Sequence, residues 1–484
     1  MTSLGRKSIA GSAWVGASVA VAAIVQLVQL AFVARLLTPD EVGLVAATLI
    51  VLALADTIST MGVSNSIVQR QDATRRELIS LYWLNLIVGG LVGALTVIFA
   101  PALAWLFQAA ALVPLIYVVA VNFVLTPHGQ VSKGVLERRM DFRLVAVGEI
   151  AASMAMLVTS IVLLLSLRSP IAIPIAYCVA AATRSTYFMF SARSHFLPGL
   201  HFSLRETRRF LSFGILQSLD TLVAFIAANA GSFAIARSVS TAALGGYNLA
   251  STYAVNTPAR LNAVVTRVAF PAISQLAADK GRRSRAIRRI IDTVVVVNAP
   301  ILLTLWIVAP DFVREVFGDE WLWTADLVRV LSIVGITRAM GNPMGAIMMA
   351  LDRMGLGLVI NVVKSLITIS AAVVAGAVWG VMGVAYSSLI IGVLGIMLNF
   401  LLLRRLANIS FPEAAADHLR PLGLCIPMFI VGLLADMLFG FFDFVPWAKL
   451  VLIPLFSLLA YILTLRLARH PLLVDISAFL RGGR

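Results

Sequence analysis

Long apolar runs, separated by short polar connections, dominate the pattern of the chain. The first run extends from about Ala10 to Leu37, and similar runs follow along most of the sequence. About 20 apolar residues in a helix are enough to cross the hydrocarbon core of a bilayer. Because lipid offers the backbone no hydrogen-bonding partner, such runs must be helical. We therefore predict an all-α, polytopic membrane protein with about fourteen transmembrane helices.

The polar connections alternate in charge along the chain. One set is basic, as at Lys133, Arg138 and Arg139, whereas the other set carries acids such as Asp40 and Glu41. This alternation is typical of the positive-inside rule and predicts that both termini are cytoplasmic. It also accounts for the net charge of +15 in a chain that is 60% hydrophobic and only 13% charged. We therefore expect no nucleic-acid partner.

A pattern near the N-terminus recurs in the second half of the chain. The stretch from Arg35 to Gly43 is repeated from Arg237 to Gly245, with the same spacing between the arginine and the glycine. An even number of predicted helices separates the copies, so they have the same orientation, and parallel repeats place a substrate site at the interface between lobes. Three regions are predicted: a six-helix lobe in 1–200, a second six-helix lobe in 201–405, and two additional helices with a cytoplasmic tail in 406–484.

Motifs of catalysis and cofactor binding are missing from the sequence. There is no P-loop, no zinc-binding histidine pair, no Gly-x-Ser-x-Gly elbow and no paired acidic motif for a sugar-nucleotide metal site. The two cysteines, Cys178 and Cys425, stand singly in apolar runs and offer neither a disulfide framework nor metal-ligand spacing. We expect a protein that is not an enzyme and that has no catalytic residues, cofactor or metal.

Basic and amide side chains within the predicted spans are candidates for substrate binding, because a charge inside a bilayer costs at least about 2.5–3.5 kcal/mol and usually marks function. Most of them lie from mid-depth toward the cytoplasmic end of their helices, where a diphosphate headgroup would enter. Arginine can contact phosphate in a planar, bidentate manner, and lysine as a compact charge. A simpler alternative is that Arg184 and Arg267 only extend to the membrane interface. The predicted substrate-binding residues are Arg184, Asn256, Arg260, Arg267, Arg338, Asn342 and Lys364.

Three acidic side chains also fall inside predicted spans, namely Asp56, Glu149 and Asp220. Each could neutralise a nearby cation and have no further role. Alternatively, one of them could carry a coupling proton or sodium ion, as acids in transporters do. The sequence leaves both roles open.

Several longer strings resemble a known group of transporters. Polysaccharide transporters of the multidrug/oligosaccharidyl-lipid/polysaccharide exporter superfamily contain strings similar to ARLLTPDEVGLVAATLIVLALADT and ALGGYNLASTYAVNTPARLNAVVTRVAFPAIS. Colanic-acid-type exporters contain strings similar to LYWLN, PHGQ, PGLHFSL, GNPMGAIMMA and ARHPLLV. The resemblance extends from about residue 5 to residue 475. It implies a cavity role for Asp56, Arg260, Arg267 and Arg338, which lie in or beside these strings.

The resemblance implies a Wzx-type flippase of the bacterial inner membrane, with two lobes and alternating access. Its substrate would be an undecaprenyl-diphosphate-linked oligosaccharide of an exopolysaccharide or capsule, moved from the cytoplasmic to the periplasmic leaflet. The implied partners are the lipid bilayer, a proton or sodium ion, and a polysaccharide polymerase with export proteins. Two alternatives within the superfamily are a peptidoglycan-precursor flippase and a multidrug antiporter. An alternative from another class is a membrane polysaccharide polymerase or ligase. No motif identifies the glycan.

Overall fold

The computed structural model describes residues 3–60, 67, 72–256, 280–351, 353–442 and 444–471. Within these ranges the chain is built from helices and contains no strand, which confirms the predicted all-α class. Eight of the described helices are long and apolar enough to cross a membrane, and one bent pair of helices could form a further span. The total of fourteen helices stays a prediction.

The chain divides into two compact units. Unit 1 comprises Met1–Asn248 and Ser365–Gly380. Its helices are α1 (Ser3–Leu36), α2 (Pro39–Thr60), α3 (Arg75–Ile98), α4 (Ala100–Leu106), α5 (Leu112–Leu125), α6 (Pro127–Arg138), α7 (Phe142–Leu167), α8 (Ala172–Ala192), α9 (Leu204–Ser238) and most of α10 (Thr241–Ser251).

Unit 2 comprises Leu249–Lys364 and Val381–Arg484. The helix α10 continues into this unit as a π-helical turn, Thr252–Asn256. The further helices are α11 (Lys280–Ile307), α12 (Ala309–Phe312), α13 (Ala325–Gly341), α14 (Pro343–Ala350), α15 (Met354–Ala407), α16 (Phe411–Leu424), α17 (Ile426–Phe441) and α18 (Pro446–Leu467). Residues 365–380 of α15 belong to unit 1. The predicted division of the chain after residues 200 and 405 stays a prediction.

Two long apolar stretches are broken at residues whose backbone chemistry favours a break. The 54-residue helix α15 is interrupted at Gly380, where φ is 64° and ψ is −149°. Glycine reaches this region at little cost because it has no Cβ, so the helix provides two segments instead of one. The helices α5 and α6 meet at a bend of 43°, where Pro127 removes a backbone donor at the start of α6.

Small residues allow close helix contacts in unit 1. A Cβ added to Gly129 would lie 2.7 Å from Cα of Ser185, so α6 and α8 approach each other closely at this point. The hydroxyl of Ser185 also donates a hydrogen bond to the carbonyl of Leu125 at 2.8 Å. A Cβ on Gly148 would lie 2.5 Å from the ring of Phe188, which brings α7 against α8. Small residues of this kind let helix backbones pack tightly in membranes.

In unit 2, a single arginine joins α11 to α16. Nε and Nη2 of Arg288 donate to the two carboxylate oxygens of Asp417 at 2.7 and 3.0 Å. Nη1 of the same guanidinium donates to Glu413 at 3.0 Å. Bidentate, charge-assisted contacts are among the stronger hydrogen bonds in proteins, so Arg288 fixes the start of α16 on α11.

Candidate substrate and coupling sites

Four charged side chains from four helices form a cluster in unit 1. Nζ of Lys133 on α6 lies 2.7 Å from Oε1 of Glu149 on α7, and Nε of Arg184 on α8 lies 3.0 Å from Oε2 of the same carboxylate. Both oxygens of Glu149 are therefore engaged by cations. Asp56 on α2 lies within electrostatic reach of Arg184 and Lys133. We call Asp56, Lys133, Glu149 and Arg184 the acid–base cluster.

The packing of α6 on α8 sets the geometry of this cluster. Lys133 lies one turn after Gly129, and Arg184 directly precedes Ser185, so the close contact of Gly129 with Ser185 brings the two cations together. The side chains of Lys133, Glu149 and Arg184 are 27%, 22% and 37% exposed. Because all three are partly shielded from water, their interactions are screened less than those of surface charges.

Unit 2 contains a second candidate site, formed by α13 and α15. Arg338 on α13 is exposed, and its charge acts on Lys364 of α15. Asn342 lies one turn after Arg338 and is also exposed. The amide nitrogen of Asn399 lies 3.6 Å from the position that a Cβ on Gly341 would take. We call Arg338, Asn342, Lys364 and Asn399 the cationic patch.

Close packing of α13 on α15 brings the residues of the patch together. A Cβ on Gly392 would overlap the hydroxyl of Thr337, so the two helices touch at this point. Arg338 follows Thr337 directly in the sequence. Nζ of Lys364 lies 3.8 Å from the Cβ position of Gly395, about one turn after Gly392. The stretch of α15 around Gly392 and Gly395 therefore contacts α13 next to Arg338 and also approaches Lys364.

The end of α10 packs against α13 near the patch. The carbonyl oxygen of Ala254 contacts the position where a Cβ on Gly335 would stand. Asn256, two residues after Ala254, is exposed at the end of the π-helical turn. Because Gly335 lies one turn before Arg338, the predicted residues Asn256 and Arg338 stand on neighbouring elements of unit 2. Single π-helical turns are frequent at functional sites.

Three of the predicted site residues are not placed by the structure. Arg260 and Arg267 lie outside the described residues. Asp220 lies on α9, but its side chain is outside the described part of the chain. Their roles stay predictions.

Sequence reasoning did not single out Lys133 or Asn399 as site residues. Lys133 stands in a basic string that predicts a cytoplasmic connection, but the structure places it within α6 and pairs it with Glu149. One signal was available, because a glutamate inside a span needs a nearby cation and Lys133 is only 16 residues away. Asn399 is one of two asparagines in the apolar sequence of α15, and nothing in its local sequence distinguishes it from a helix-packing residue.

The two sites suit different chemistry. The acid–base cluster contains two acids and two bases, so its formal charge is zero and the addition of one proton would make it positive. The cationic patch combines two positive charges with amide donors, an arrangement that can hold an anion by charge-assisted hydrogen bonds. Among the described residues, no three His, Cys, Asp or Glu side chains come together as a metal site requires.

Residues 32–326 match the family of polysaccharide biosynthesis proteins, and this stretch is more than half of the chain. The chain belongs to this family. It is 30% identical over 476 residues to the lipopolysaccharide biosynthesis protein WzxC of Escherichia coli K12, covering 98% of the chain and 96% of that protein. It is 29% identical over 353 residues to the teichuronic acid biosynthesis protein TuaB of Bacillus subtilis 168, covering 73% of each. It is 26% identical over 338 residues to the succinoglycan biosynthesis transport protein ExoT of Rhizobium meliloti 1021, covering 69% and 67%.

Solved structures show the same fold. The lipid II flippase MurJ in an inward closed conformation matches with a TM-score of 0.75 at 14% identity, over 93% of the chain and 98% of that protein. An inward-facing multidrug resistance MATE family transporter matches with a TM-score of 0.64 at 15% identity, over 80% of the chain and 96% of that protein. At these identities the likeness concerns the fold alone.

Family membership confirms several predictions made from the strings in the sequence. This member of the polysaccharide biosynthesis family is a multi-pass protein of the bacterial inner membrane. Its relatives are named for the biosynthesis of lipopolysaccharide, teichuronic acid and succinoglycan, and ExoT is named as a transport protein. It is therefore a transport protein and not an enzyme.

Proposed function

We propose that the protein flips an undecaprenyl-diphosphate-linked oligosaccharide from the cytoplasmic to the periplasmic leaflet by alternating access. The cationic patch is the observation that carries this proposal, because a diphosphate that leaves water needs positive charge and hydrogen-bond donors. Relatives named for lipopolysaccharide, teichuronic acid and succinoglycan biosynthesis support a surface polysaccharide as the product. A polysaccharide polymerase and export proteins would act on the oligosaccharide after release.

Three residues of the patch and the neighbouring Asn256 have distinct tasks in this proposal. The planar guanidinium of Arg338 contacts the diphosphate in bidentate fashion, and Lys364 adds a second, compact charge. The amides of Asn342 and Asn256 donate to phosphate or to the first sugar. Arg184 lies in the acid–base cluster, and its role in substrate binding, like those of Arg260 and Arg267, stays a prediction.

In this proposal, the acid–base cluster binds the coupling ion, which is a proton. Both oxygens of Glu149 are engaged by cations, so this carboxylate keeps its negative charge. Asp56 is then the acid on which a proton would change the formal charge of the cluster from zero to +1. A change in this charge that alters the substrate affinity also lets the substrate alter the proton affinity of the cluster by the same factor, which links the two.

A flipping assay in proteoliposomes tests the proposal. The substrate is an undecaprenyl diphosphate that carries a fluorescent oligosaccharide, and a membrane-impermeant quencher reports the leaflet. We expect flipping by the wild type and a large loss in the double variant Arg338→Ala, Lys364→Met. Arg329→Ala is the matched control, since Arg329 lies on the same helix and pairs with Asp326 at 3.3 Å. Equal flipping by the wild type and the double variant would remove the patch from the substrate path.

The coupling assignment has its own test in the same vesicles. Asp56→Asn imitates the protonated acid, so its flipping should no longer respond to an imposed pH gradient, although substrate binding is retained. Full gradient-driven flipping by this variant would leave Asp56 with a structural role only.

A peptidoglycan-precursor flippase is the second candidate, because its substrate offers the same diphosphate to the cationic patch. The two functions separate in cells. Deletion of the gene should abolish a surface polysaccharide and leave cell-wall synthesis intact. Arrest of wall synthesis would favour the second candidate. The cationic character of the patch speaks against a pump for cationic drugs.

A further inference from the structure

Unit 2 contains an apolar cavity of about 520 Å³ that the proposed transport cycle does not use. This volume lies within the range of ligand pockets, about 300–1,000 Å³. Helices α11, α13, α15, α16 and α17 contribute the walls. The side chains that form the buried back of the cavity include Ile336, Met340, Phe400, His418 and Cys425.

The few polar groups in the wall are satisfied within their own helices. The hydroxyl of Thr337 donates to the carbonyl of Val334 at 2.8 Å. Nδ1 of His418 lies 2.7 Å from the carbonyl oxygen of Ala414. A buried water needs two to four polar partners, and this wall offers few. The cavity therefore suits hydrocarbon better than water.

One side of the cavity opens at the apolar surface of unit 2. Met397, Leu419 and Ile426 line this side and are 55%, 62% and 58% exposed. In a membrane-spanning protein, an apolar surface of this kind faces the acyl chains of the bilayer. We call the cavity with this opening the lateral crevice.

An arginine stands beyond one end of the lateral crevice. Arg404 lies four residues after Phe400 and seven after Met397, so all three share one face of α15. It is exposed and belongs to the last turn of the helix, together with Arg405. By the positive-inside rule this basic end is cytoplasmic, and the cytoplasmic leaflet is rich in anionic lipid. A phosphate at Arg404 would leave its hydrocarbon chain pointing along the crevice.

We propose that the lateral crevice is a binding site for an anionic phospholipid of the cytoplasmic leaflet, with an acyl chain in the crevice and the phosphate on Arg404. The occupant is distinct from the transported lipid, because the crevice and the cationic patch lie on opposite faces of α13 and α15. On α13, Arg338 lies about 150° around the helix axis from the residues that line the crevice. On α15, Gly395, which lies beside Lys364, is likewise about 150° around the helix axis from the crevice-lining residues. A lipid with its diphosphate on the patch would have its chain on the other side of these helices.

Photo-crosslinking tests the site directly. The purified protein is reconstituted in vesicles of phosphatidylethanolamine with a minor fraction of phosphatidylglycerol that carries a diazirine in one acyl chain. Labelled peptides are then identified by mass spectrometry. We expect label on the crevice segments of α15 and α16. Val393→Trp, which fills the crevice, should reduce this label several-fold, whereas Leu394→Trp should not. Both positions are partly exposed on α15, but only Val393 lines the crevice.

Further variants identify the headgroup and control for misfolding. Ile426→Trp fills the crevice from α17 and should reproduce the loss of label if Val393→Trp proves unstable. Arg404→Gln should abolish the preference for phosphatidylglycerol over a phosphatidylethanolamine probe. Equal labelling in the two α15 variants would overturn the proposal. Displacement of the probe by undecaprenyl phosphate, but not by phosphatidylglycerol, would assign the crevice to the carrier lipid and would also overturn it.

Discussion

Gly43 and Gly245, which occupy the same position in the two copies of the sequence repeat, contact each other in unit 1. A Cβ on Gly245 would lie 2.9 Å from the backbone nitrogen of Gly43 and 3.1 Å from the carbonyl oxygen of Pro39. A Cβ on Gly43 would overlap the carbonyl of Thr241. The repeated Arg-to-Gly pattern therefore has a physical basis, because each copy supplies the glycine that lets α2 and α10 meet.

We expect Gly43→Ala to destabilise the protein. The new methyl group would collide with backbone atoms, which cannot rotate away as a side chain can, and overpacking of this kind typically costs about 1–3 kcal/mol. Gly90→Ala is the matched control, since Gly90 lies within α3 with nothing near its Cβ position. Alanine there should be neutral or slightly stabilising because of its helix propensity. Melting temperatures of the purified variants in detergent provide the measurement. Equal melting of both variants would contradict the close contact.

Glu149→Gln should lower stability by removing the negative charge between two cations. Lys133 and Arg184 would then face each other without their shared partner. A buried pair broken in this way typically costs about 3–5 kcal/mol, and we expect about 1–3 kcal/mol because the side chains are partly exposed. Adding Lys133→Met to Glu149→Gln should restore part of the loss, since one of the two opposed charges is removed. A double variant less stable than the single variant would show that the cluster is not governed by charge balance.

The all-α class and the transporter family could be predicted from the sequence, because apolar runs and long strings carry that information locally. The strings LYWLN and PGLHFSL also prove to be structurally linked, since the indole nitrogen of Trp83 donates to the carbonyl of Gly199 at 2.8 Å. The pairing of Lys133 with Glu149 could not be predicted, because the contact depends on how separate helices pack. The position of Asn399 near Gly341 depends on the same kind of packing.

Glu206 provides a pH-dependent contact at the start of α9, outside the spans. The hydroxyl of Ser80 donates to its carboxylate at 2.7 Å and His201 lies at 3.1 Å, and with Arg76 these groups hold the pKa of Glu206 below its ordinary value of 4.5. A carboxyl with a depressed pKa stabilises the fold above its ordinary value, and this stability is lost as the pH falls through the depressed value.

The melting temperature of the wild type should therefore exceed that of Glu206→Gln at pH 6, and the difference should fade as the pH falls below about 4.5. Ser80→Ala removes the first of these hydrogen bonds and should move the transition to higher pH. A difference that does not depend on pH would show that the carboxylate charge of Glu206 is irrelevant to stability.

Recognition of the diphosphate gives the most direct prediction for the cationic patch. Hydrogen bonds to charged groups contribute about 1.5–3 kcal/mol each, so Arg338→Ala should weaken binding of undecaprenyl diphosphate about 10–100-fold. Arg338→Lys should recover only part of this affinity, because an ammonium cannot reproduce the planar, bidentate contact. Lys364→Met should cause a smaller loss, since a compact charge is removed but the guanidinium stays.

Calorimetry with the purified protein in detergent measures the affinity for undecaprenyl diphosphate and tests the role of Arg338. Arg329→Ala is the control on the same helix. Melting temperatures recorded in parallel separate lost recognition from lost folding. If Arg338 served only to stabilise the helix contact near Thr337, Arg338→Ala would lower the melting temperature and leave the affinity of the folded protein unchanged. A patch that binds the headgroup gives the opposite result, with affinity reduced and the melting temperature in the absence of lipid maintained.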